Sequence, residues 1–184
     1  KARERMIEGI RQNRAGLGLK DFALQHAARL LSSTQPECMG PNKPNVGARS
    51  WNEVYKLSVT PQKLGVPRYQ GSPEEAAKIV KRAAKNFGAC RVGITGLDRR
   101  HVYSVDCDGK QIVFEPADAP YETAEKRVIP EKCKYVVAML VQMSAESWAC
   151  APFPVGSMVP ALSYNLIEQL TGAVAEFIRG LGYT

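Results

Sequence analysis

The five cysteines are the residues whose type most directly indicates chemistry, because thiolates bind zinc and iron–sulfur clusters. They are Cys38, Cys90, Cys107, Cys133 and Cys150. None belongs to a Cys-x-x-Cys pair, whereas such centres normally take closely spaced ligands. The spacing therefore predicts no metal centre built from this chain alone. Cys90 and Cys133 lie in apolar, strand-like runs, which predicts that both are small buried side chains.

Histidines and glycine motifs offer little further chemistry. His26 and His101 are far apart, and neither forms a ligand-type motif with a cysteine or a carboxylate. A metal site or a histidine general base is therefore not indicated. The segment "GITGLDRR" holds a pair of glycines but no Gly-x-Gly-x-x-Gly, so the fingerprint of a dinucleotide-binding loop is absent.

One of the seven tyrosines, Tyr164, lies in the segment "LSYN" at the start of the last apolar-periodic stretch. A phenol is protonated at neutral pH and can act as a general acid in a closed site. Taken alone, the residue is better explained as an interfacial tyrosine that buries its ring and leaves its hydroxyl in water. Its neighbours Ser163 and Asn165 are residue types that begin helices.

Charge and hydropathy exclude several classes of protein. The chain of 184 residues carries a net charge of +7, but its basic residues are scattered, with small clusters at "KARER", "KRAAK" and "DRR". Few aromatics lie between them, so solvated helix faces are favoured over a nucleic-acid surface. The longest apolar run, Tyr135 to Val141, is far shorter than the roughly 20 residues of a membrane span. No secretory signal follows Lys1, so any targeting segment is expected outside this numbering.

The elements that must position these residues fall into two predicted units. Residues 1–71 form an irregular, partly helical cap, with one helix from Lys20 to Leu31. The long Pro- and Gly-rich stretch after that helix contains Trp51, Tyr55 and Tyr69. Since disordered linkers are poor in aromatics, this stretch is predicted to be functional.

Residues 72–184 are more regular. Ser72 and Glu75 form a capping box that predicts a helix ending at Gly88, followed by a strand from Ala89 to Thr95. After it, "KQIVFEP" predicts a short strand, "DAPYETAEKR" a polar loop and "KYVVAMLVQM" a strand covered on both faces.

A last helix is predicted from Ser163 to Arg179 and is capped by Gly180. Its predicted buried stripe consists of Leu166, Ile167, Leu170, Val174, Phe177 and Ile178. The order of elements predicts an α/β (α+β) fold, and the final "LGY" would ordinarily lead into another strand. The chain is therefore expected to be the first part of a larger domain.

Three segments together resemble one enzyme family. They are "PRYQGSPEEAAKIVKRAAKNFGACRVGITGLDRRHVYS", "PEKCKYVVAMLVQM" and "SYNLIEQLTGAVAEFIRGLGY", and they span about Pro67 to the end. In order and spacing they resemble the catalytic subunit of the corrinoid-dependent reductive dehalogenases of organohalide-respiring bacteria. The resemblance implies a nitroreductase-like core that holds cobalamin, and a ferredoxin-like insertion with two 4Fe-4S clusters. Ligands for those clusters are not expected in this chain, so the 184 residues alone are expected to be inactive.

The resemblance also implies roles for individual residues. Tyr164 matches the tyrosine that donates the proton replacing the halide, and Ser163 and Asn165 would lie beside the cofactor. Trp51, Tyr69 and Trp148 would line the substrate pocket, although aromatic packing in a core is the more frequent explanation for such residues. In the whole protein the family implies a small membrane anchor subunit, an electron donor from the respiratory chain, and twin-arginine export to the outer face of the cytoplasmic membrane.

Two other functions stay open at this point. One is a tRNA-modifying enzyme like epoxyqueuosine reductase, which the positive charge suits mildly. The other is a non-enzymatic module that binds a corrinoid or a protein partner. Cysteine-rich cluster motifs downstream of residue 184 would indicate an enzyme rather than a module.

Overall fold

The computed structural model describes residues 2–15, 18–23, 60–106, 109–151 and 154–183 of the chain. Residues 19–23 are helical, and the rest of the helix predicted from Lys20 to Leu31 lies outside these ranges. The same holds for five residues singled out in the sequence, which are His26, Cys38, Trp51, Tyr55 and Cys107.

The described helices are α1 (Ala2–Arg11), α2 (Pro61–Leu64), α3 (Pro73–Asn86), α4 (Ala145–Trp148) and α5 (Pro154–Gly180). The strands are β1 (Arg91–Gly96), β2 (Gln111–Glu115), β3 (Tyr121–Glu122), β4 (Lys126–Pro130) and β5 (Tyr135–Leu140). β1 pairs antiparallel with β5, so that Arg91 faces Leu140 and Gly96 faces Tyr135. A separate sheet has the order β2-β4-β3, in which β2 is parallel and β3 antiparallel to β4. Helices with mixed and antiparallel sheets make this an α+β fold.

Helix α3 forms where its end signals predict. The Ser72 Oγ accepts a hydrogen bond from the Glu75 N–H at 3.2 Å, and Glu75 Oε2 accepts one from the Ser72 N–H at 2.9 Å. At the other end, Gly88 has φ 111° and its N–H donates to the Lys85 carbonyl. The Ala89 N–H donates to the Ala84 carbonyl, which completes a Schellman stop. Both predicted ends are confirmed.

Buried apolar side chains join α3, α5 and the β1–β5 pair. One cluster of buried residues consists of Ala84, Ala89, Leu170 and Val174, with Val92 and Met139 of the sheet packed against it. A second consists of Ala23, Ala83, Phe177 and Leu181. A third contains Ile10, Leu19 and Val66 and ties α1 to the residues before α3. The second half of α5 is therefore the packed half of that helix.

Two strand predictions need correction. The predicted loop "DAPYETAEKR" contains β3 and the start of β4, because its charged side chains are paired across strands instead of being left to solvent. Strand β5 was expected to be covered on both faces, but Val137 and Met139 face the helices while Leu140 is 57% exposed. In the described residues, β5 therefore has one uncovered apolar face.

Helix α5 begins nine residues earlier than predicted. It starts at Pro154 and contains Pro160, which cannot donate a backbone hydrogen bond and normally interrupts a helix. Pro154 stands at the first helical position, where proline is favourable, and Val159 and Ser163 are buried beyond it. Packing of the first half against α4 therefore outweighs the interruption that Pro160 would cause.

The predicted stripe of α5 is only partly buried. Leu170, Val174 and Phe177 are buried as predicted, but the prediction was wrong for Leu166 and Ile167, which are exposed. The predicted cap at Gly180 was also wrong. Gly180 is helical, and the glycine that ends the helix is Gly182, with φ 93°.

Gly182 ends α5 with a Schellman stop. Its N–H donates to the Arg179 carbonyl at 2.9 Å, and the Tyr183 N–H donates to the Ile178 carbonyl at 3.2 Å. A Cβ on Gly182 would lie 2.6 Å from the Cβ of Arg68. The Tyr183 hydroxyl donates to the Tyr69 carbonyl at 2.9 Å, and the Arg68 guanidinium lies over the Tyr183 ring. The turn after α5 is thus fixed against residues 68–69.

We expect Gly182→Ala to destabilise the fold more than Gly88→Ala. Both positions have positive φ, which costs about 1–2 kcal/mol for a residue with a Cβ. A Cβ at Gly88 meets nothing within 4 Å, whereas one at Gly182 would clash with Arg68. The clash should add roughly another 1–3 kcal/mol. Denaturant unfolding of the two variants measures the difference, and equal midpoints would show that the close approach to Arg68 is absent.

Candidate functional site

Tyr164 lies in the first half of α5, one helical position after the buried Ser163. Its side chain is 69% exposed. The phenol therefore projects away from the described part of the protein, where a substrate or cofactor could reach it.

Ser163 is not the N-cap that its residue type suggested. It lies inside α5 with an exposed fraction of 4%, and its Oγ donates to the Val159 carbonyl at 2.9 Å. Helical serines commonly form this bond to the preceding turn. Asn165 is also within the helix, so it cannot cap it, but its side chain is exposed beside Tyr164. Of the two flanking polar residues, only Asn165 has an exposed side chain.

The three predicted pocket residues have different positions. Trp148 ends α4, which packs against α5, and its side chain is 52% exposed. Tyr69 packs against buried residues of the core, and its N–H donates to the Leu181 carbonyl. Leu181 lies 17 residues beyond Tyr164, or about 25 Å along a helix. The described residues therefore bring Trp148, but not Tyr69, to the same half of α5 as Tyr164. Trp51 lies outside them.

A row of exposed apolar residues runs along the first half of α5. It consists of Val155, Met158, Leu162 and Leu166, which we call the uncovered stripe, and each is between 46% and 51% exposed. Helical spacing detected the apolar character of Leu166 but not its exposure. Exposure depends on what packs against the helix, and the pattern within one helix does not contain that information.

The cysteines do not form a shared site in the described residues. Cys90 was predicted to be buried but is exposed, because it precedes β1 at the sheet end, where its Sγ donates to the Leu140 carbonyl at 3.1 Å. Cys133 is partly buried, and burial raises the pKa of its thiol. Cys150 is exposed after α4. Among residues that the structure describes, no three or more His, Cys, Asp or Glu side chains are grouped to hold a metal ion.

An ionic cluster on the β2-β4-β3 sheet was not found from the sequence. Glu115 accepts hydrogen bonds from the Lys126 ammonium and, at 2.8 Å, from the Tyr121 hydroxyl. Because of the Lys126 bond and then the Tyr121 bond, the pKa of Glu115 is held below its ordinary value. On the other face, the Arg127 guanidinium lies 2.9 Å from Asp106 and 3.6 Å from Glu122. These contacts hold the small sheet together.

We expect Glu115→Gln to lower stability at neutral pH and to have less effect in acid. A lowered folded-state pKa means that the ionised carboxylate stabilises the fold above its unfolded pKa, and that this stabilisation is lost as the pH falls through the folded value. The difference between parent and variant should therefore shrink below about pH 4. Urea unfolding across pH tests this, with the exposed Glu125→Gln as control. A difference that does not change with pH would contradict the ionic role.

Comparison with known proteins decides the family. A family model described as "Reductive dehalogenase subunit" matches residues 2–123. The chain belongs to the reductive dehalogenase family. It is 30% identical over 126 residues to tetrachloroethene reductive dehalogenase of Sulfurospirillum multivorans, an alignment that covers 60% of this chain and 25% of that protein.

Other dehalogenases align with more of the chain. It is 27% identical over 163 residues to tetrachloroethene reductive dehalogenase of Desulfitobacterium hafniense and 26% identical to that of Dehalobacter restrictus, and each alignment covers 74% of this chain and 29% of the relative. The chain thus spans between 25% and 29% of the length of these reductive dehalogenases. The family resemblance found in the sequence is confirmed, while the family match ends at residue 123, before Tyr164. None of the described helices is long and apolar enough to cross a membrane.

Proposed function

We propose that this chain is part of the catalytic subunit of a reductive dehalogenase of anaerobic respiration. The observation that carries the proposal is the family match over residues 2–123, together with relatives named as tetrachloroethene reductive dehalogenases. In the proposed reaction a carbon–halogen bond breaks and a carbon–hydrogen bond forms, with two electrons and one proton consumed and a halide released. The comparisons do not favour the tRNA-modifying enzyme or the non-enzymatic module.

Tyr164 is the proposed proton donor. Three features support it: its phenol is exposed, it lies on a rigid helix, and the second half of that helix is anchored by Leu170, Val174 and Phe177. A general acid must be held within hydrogen-bond reach of the reacting atom, and helix-borne side chains satisfy that need better than mobile loops. Trp148 on the neighbouring α4 is proposed to line the substrate pocket, as is Trp51 in the whole protein. Tyr69 packs at the other end of α5 and is not retained as a pocket residue.

Cobalamin and two 4Fe-4S clusters are the proposed cofactors of the whole protein. Bound cobalamin would supply the two-electron chemistry at the halogenated carbon, and Asn165 is the proposed contact to it. Ser163, also a candidate from the resemblance, uses its hydroxyl within α5. The described cysteines do not fit cluster ligands, because Cys90, Cys133 and Cys150 lie at three separate places in the fold. No electron-transfer role is therefore assigned to the described residues.

The remaining properties of the whole protein are proposed from the family. They include the small membrane anchor, an electron donor from the respiratory chain, export by the twin-arginine route, and a position at the outer face of the cytoplasmic membrane. Residues 1–71 are proposed as a cap and residues 72–184 as the first part of the nitroreductase-like domain. No nucleic-acid partner is proposed.

Halide release by the full-length gene product is the test of this function. The protein, loaded with corrinoid and iron–sulfur clusters, should release halide from at least one member of a panel of organohalides that includes tetrachloroethene when a low-potential reductant is supplied. The 184-residue chain alone should release none. A fully loaded protein that releases no halide but reduces epoxyqueuosine in tRNA would overturn the proposal in favour of the tRNA-modifying enzyme.

Iron–sulfur reconstitution of the 184-residue chain should give no stoichiometric 4Fe-4S absorption. Each such cluster needs four closely placed ligands, and the five cysteines of the chain are widely spaced. Iron and sulfide analysis with visible spectroscopy measures the result, and the full-length protein reconstituted in parallel is the positive control. Incorporation of even one cluster into the short chain would contradict the interpretation of its cysteines.

A further inference from the structure

The first half of α5 has the composition of an interior helix. Residues 154–167 contain no charged side chain, and they include the uncovered stripe. Two further apolar side chains on other sides of the helix, Tyr164 and Ile167, are also exposed. A helix that is apolar around most of its circumference is normally buried, because a surface helix carries charged or polar residues on its outer side.

In the second half of the same helix, the apolar residues pack against other elements of the protein. Leu170 packs against α3 and the β1–β5 pair and is 3% exposed, whereas Leu166, one turn earlier, is 49% exposed. The apolar surface of α5 is therefore continuous with the core of the protein and extends beyond the described elements. A continuous apolar surface of this kind marks a contact with protein, membrane or ligand.

The uncovered stripe could contact a lipid bilayer or further polypeptide. A bilayer-spanning role does not suit α5, since no described helix meets the length and hydropathy of a span. The relatives contain polypeptide that this chain does not, because the chain spans only 25% to 29% of their length. We infer that polypeptide of the same protein outside these 184 residues packs on Val155, Met158, Leu162 and Leu166, and that the first half of α5 is an interior helix of the whole protein. This inference concerns packing and does not depend on the proposed activity.

Thiol labelling of cysteine variants tests the inference. Leu162→Cys and Met158→Cys are each made in the 184-residue chain and in the full-length gene product, and maleimide modification is followed peptide by peptide by mass spectrometry, so that native cysteines do not interfere. The control is Lys81→Cys, on the exposed polar face of α3. Labelling at 158 and 162 should be at least about ten-fold slower in the full-length protein, since a buried thiol reacts only when the structure opens. Labelling at 81 should be the same in both.

Each alternative covering gives a different result. Equal labelling of position 162 in both proteins would overturn the inference. Slow labelling in the monomeric short chain would mean that the chain covers its own stripe. Protection that appears in the short chain only as its concentration rises would identify a second copy as the partner, and protection only with anionic vesicles would identify a lipid surface. Any of these three results would also overturn it. Halide release is measured separately, so the labelling result can be interpreted even if the proposed activity is not found.

Discussion

Turnover by the full-length dehalogenase is expected to fall at least about a hundred-fold when Tyr164 is replaced by phenylalanine. The substitution keeps the ring and the helix and removes only the proton donor. Loss of one hydroxyl hydrogen bond costs on the order of 1 kcal/mol of stability. Corrinoid content should therefore be nearly unchanged. The measurement is the rate of halide release per bound corrinoid, for any organohalide that the parent accepts.

A matched tyrosine separates the catalytic role from a general effect of losing a hydroxyl. Tyr103 is 83% exposed and lies between β1 and β2, in a different element from Tyr164. Tyr103→Phe should retain the parental rate per corrinoid. If Tyr164→Phe also retains it, Tyr164 is not the proton donor, even if the family assignment stands.

Leu170→Ala is expected to cost about 2–5 kcal/mol of unfolding free energy, because it leaves a cavity between α5, α3 and the β1–β5 pair. Leu166→Ala, one turn earlier on the same helix, should cost less than about 1 kcal/mol, since its side chain is half exposed and alanine favours the helix. Urea unfolding of the 184-residue chain, followed by circular dichroism, measures both.

The pair of leucine variants also tests the corrected stripe of α5. The sequence pattern placed Leu166 and Leu170 in one buried row. In the structure Leu170 is buried and Leu166 is exposed. Equal losses of stability would support the original pattern and would contradict the exposure of the first half of α5. In the full-length protein, the cost of Leu166→Ala should rise if further polypeptide covers the uncovered stripe.

Local chemistry made some elements predictable. The ends of α3 follow from Ser72, Glu75 and Gly88, which act through hydrogen bonds within a few residues of each other. Strands β1, β2 and β5 follow from their apolar and β-branched runs. In these places the sequence contains the whole physical cause, so the prediction could succeed without knowledge of the rest of the fold.

Other elements depend on contacts between distant parts of the chain. Pro160 argued locally for a loop, but tertiary packing of Val159 and Ser163 keeps that turn helical. The β2-β4-β3 sheet depends on ion pairs such as Lys110 with Glu122, 12 residues apart. The candidate site had the same limitation. The family resemblance identified Tyr164 and its neighbours, but only the structure shows that Ser163 points inward while Tyr164 and Asn165 are exposed.

The pairing of β1 with β5 has a consequence for how fast the protein folds. The register joins Gly96 to Tyr135 at its inner end, so roughly forty residues must be looped out before the first of these bonds can form, and loop closure of that length is entropically unfavourable. The β2-β4-β3 sheet lies entirely within that loop and can form from closer contacts. We expect it to form early and to shorten the loop that remains, with β1–β5 pairing as the late, rate-limiting step. Substitutions in the Glu115 and Arg127 ion pairs should then slow refolding, whereas Leu170→Ala should mainly accelerate unfolding.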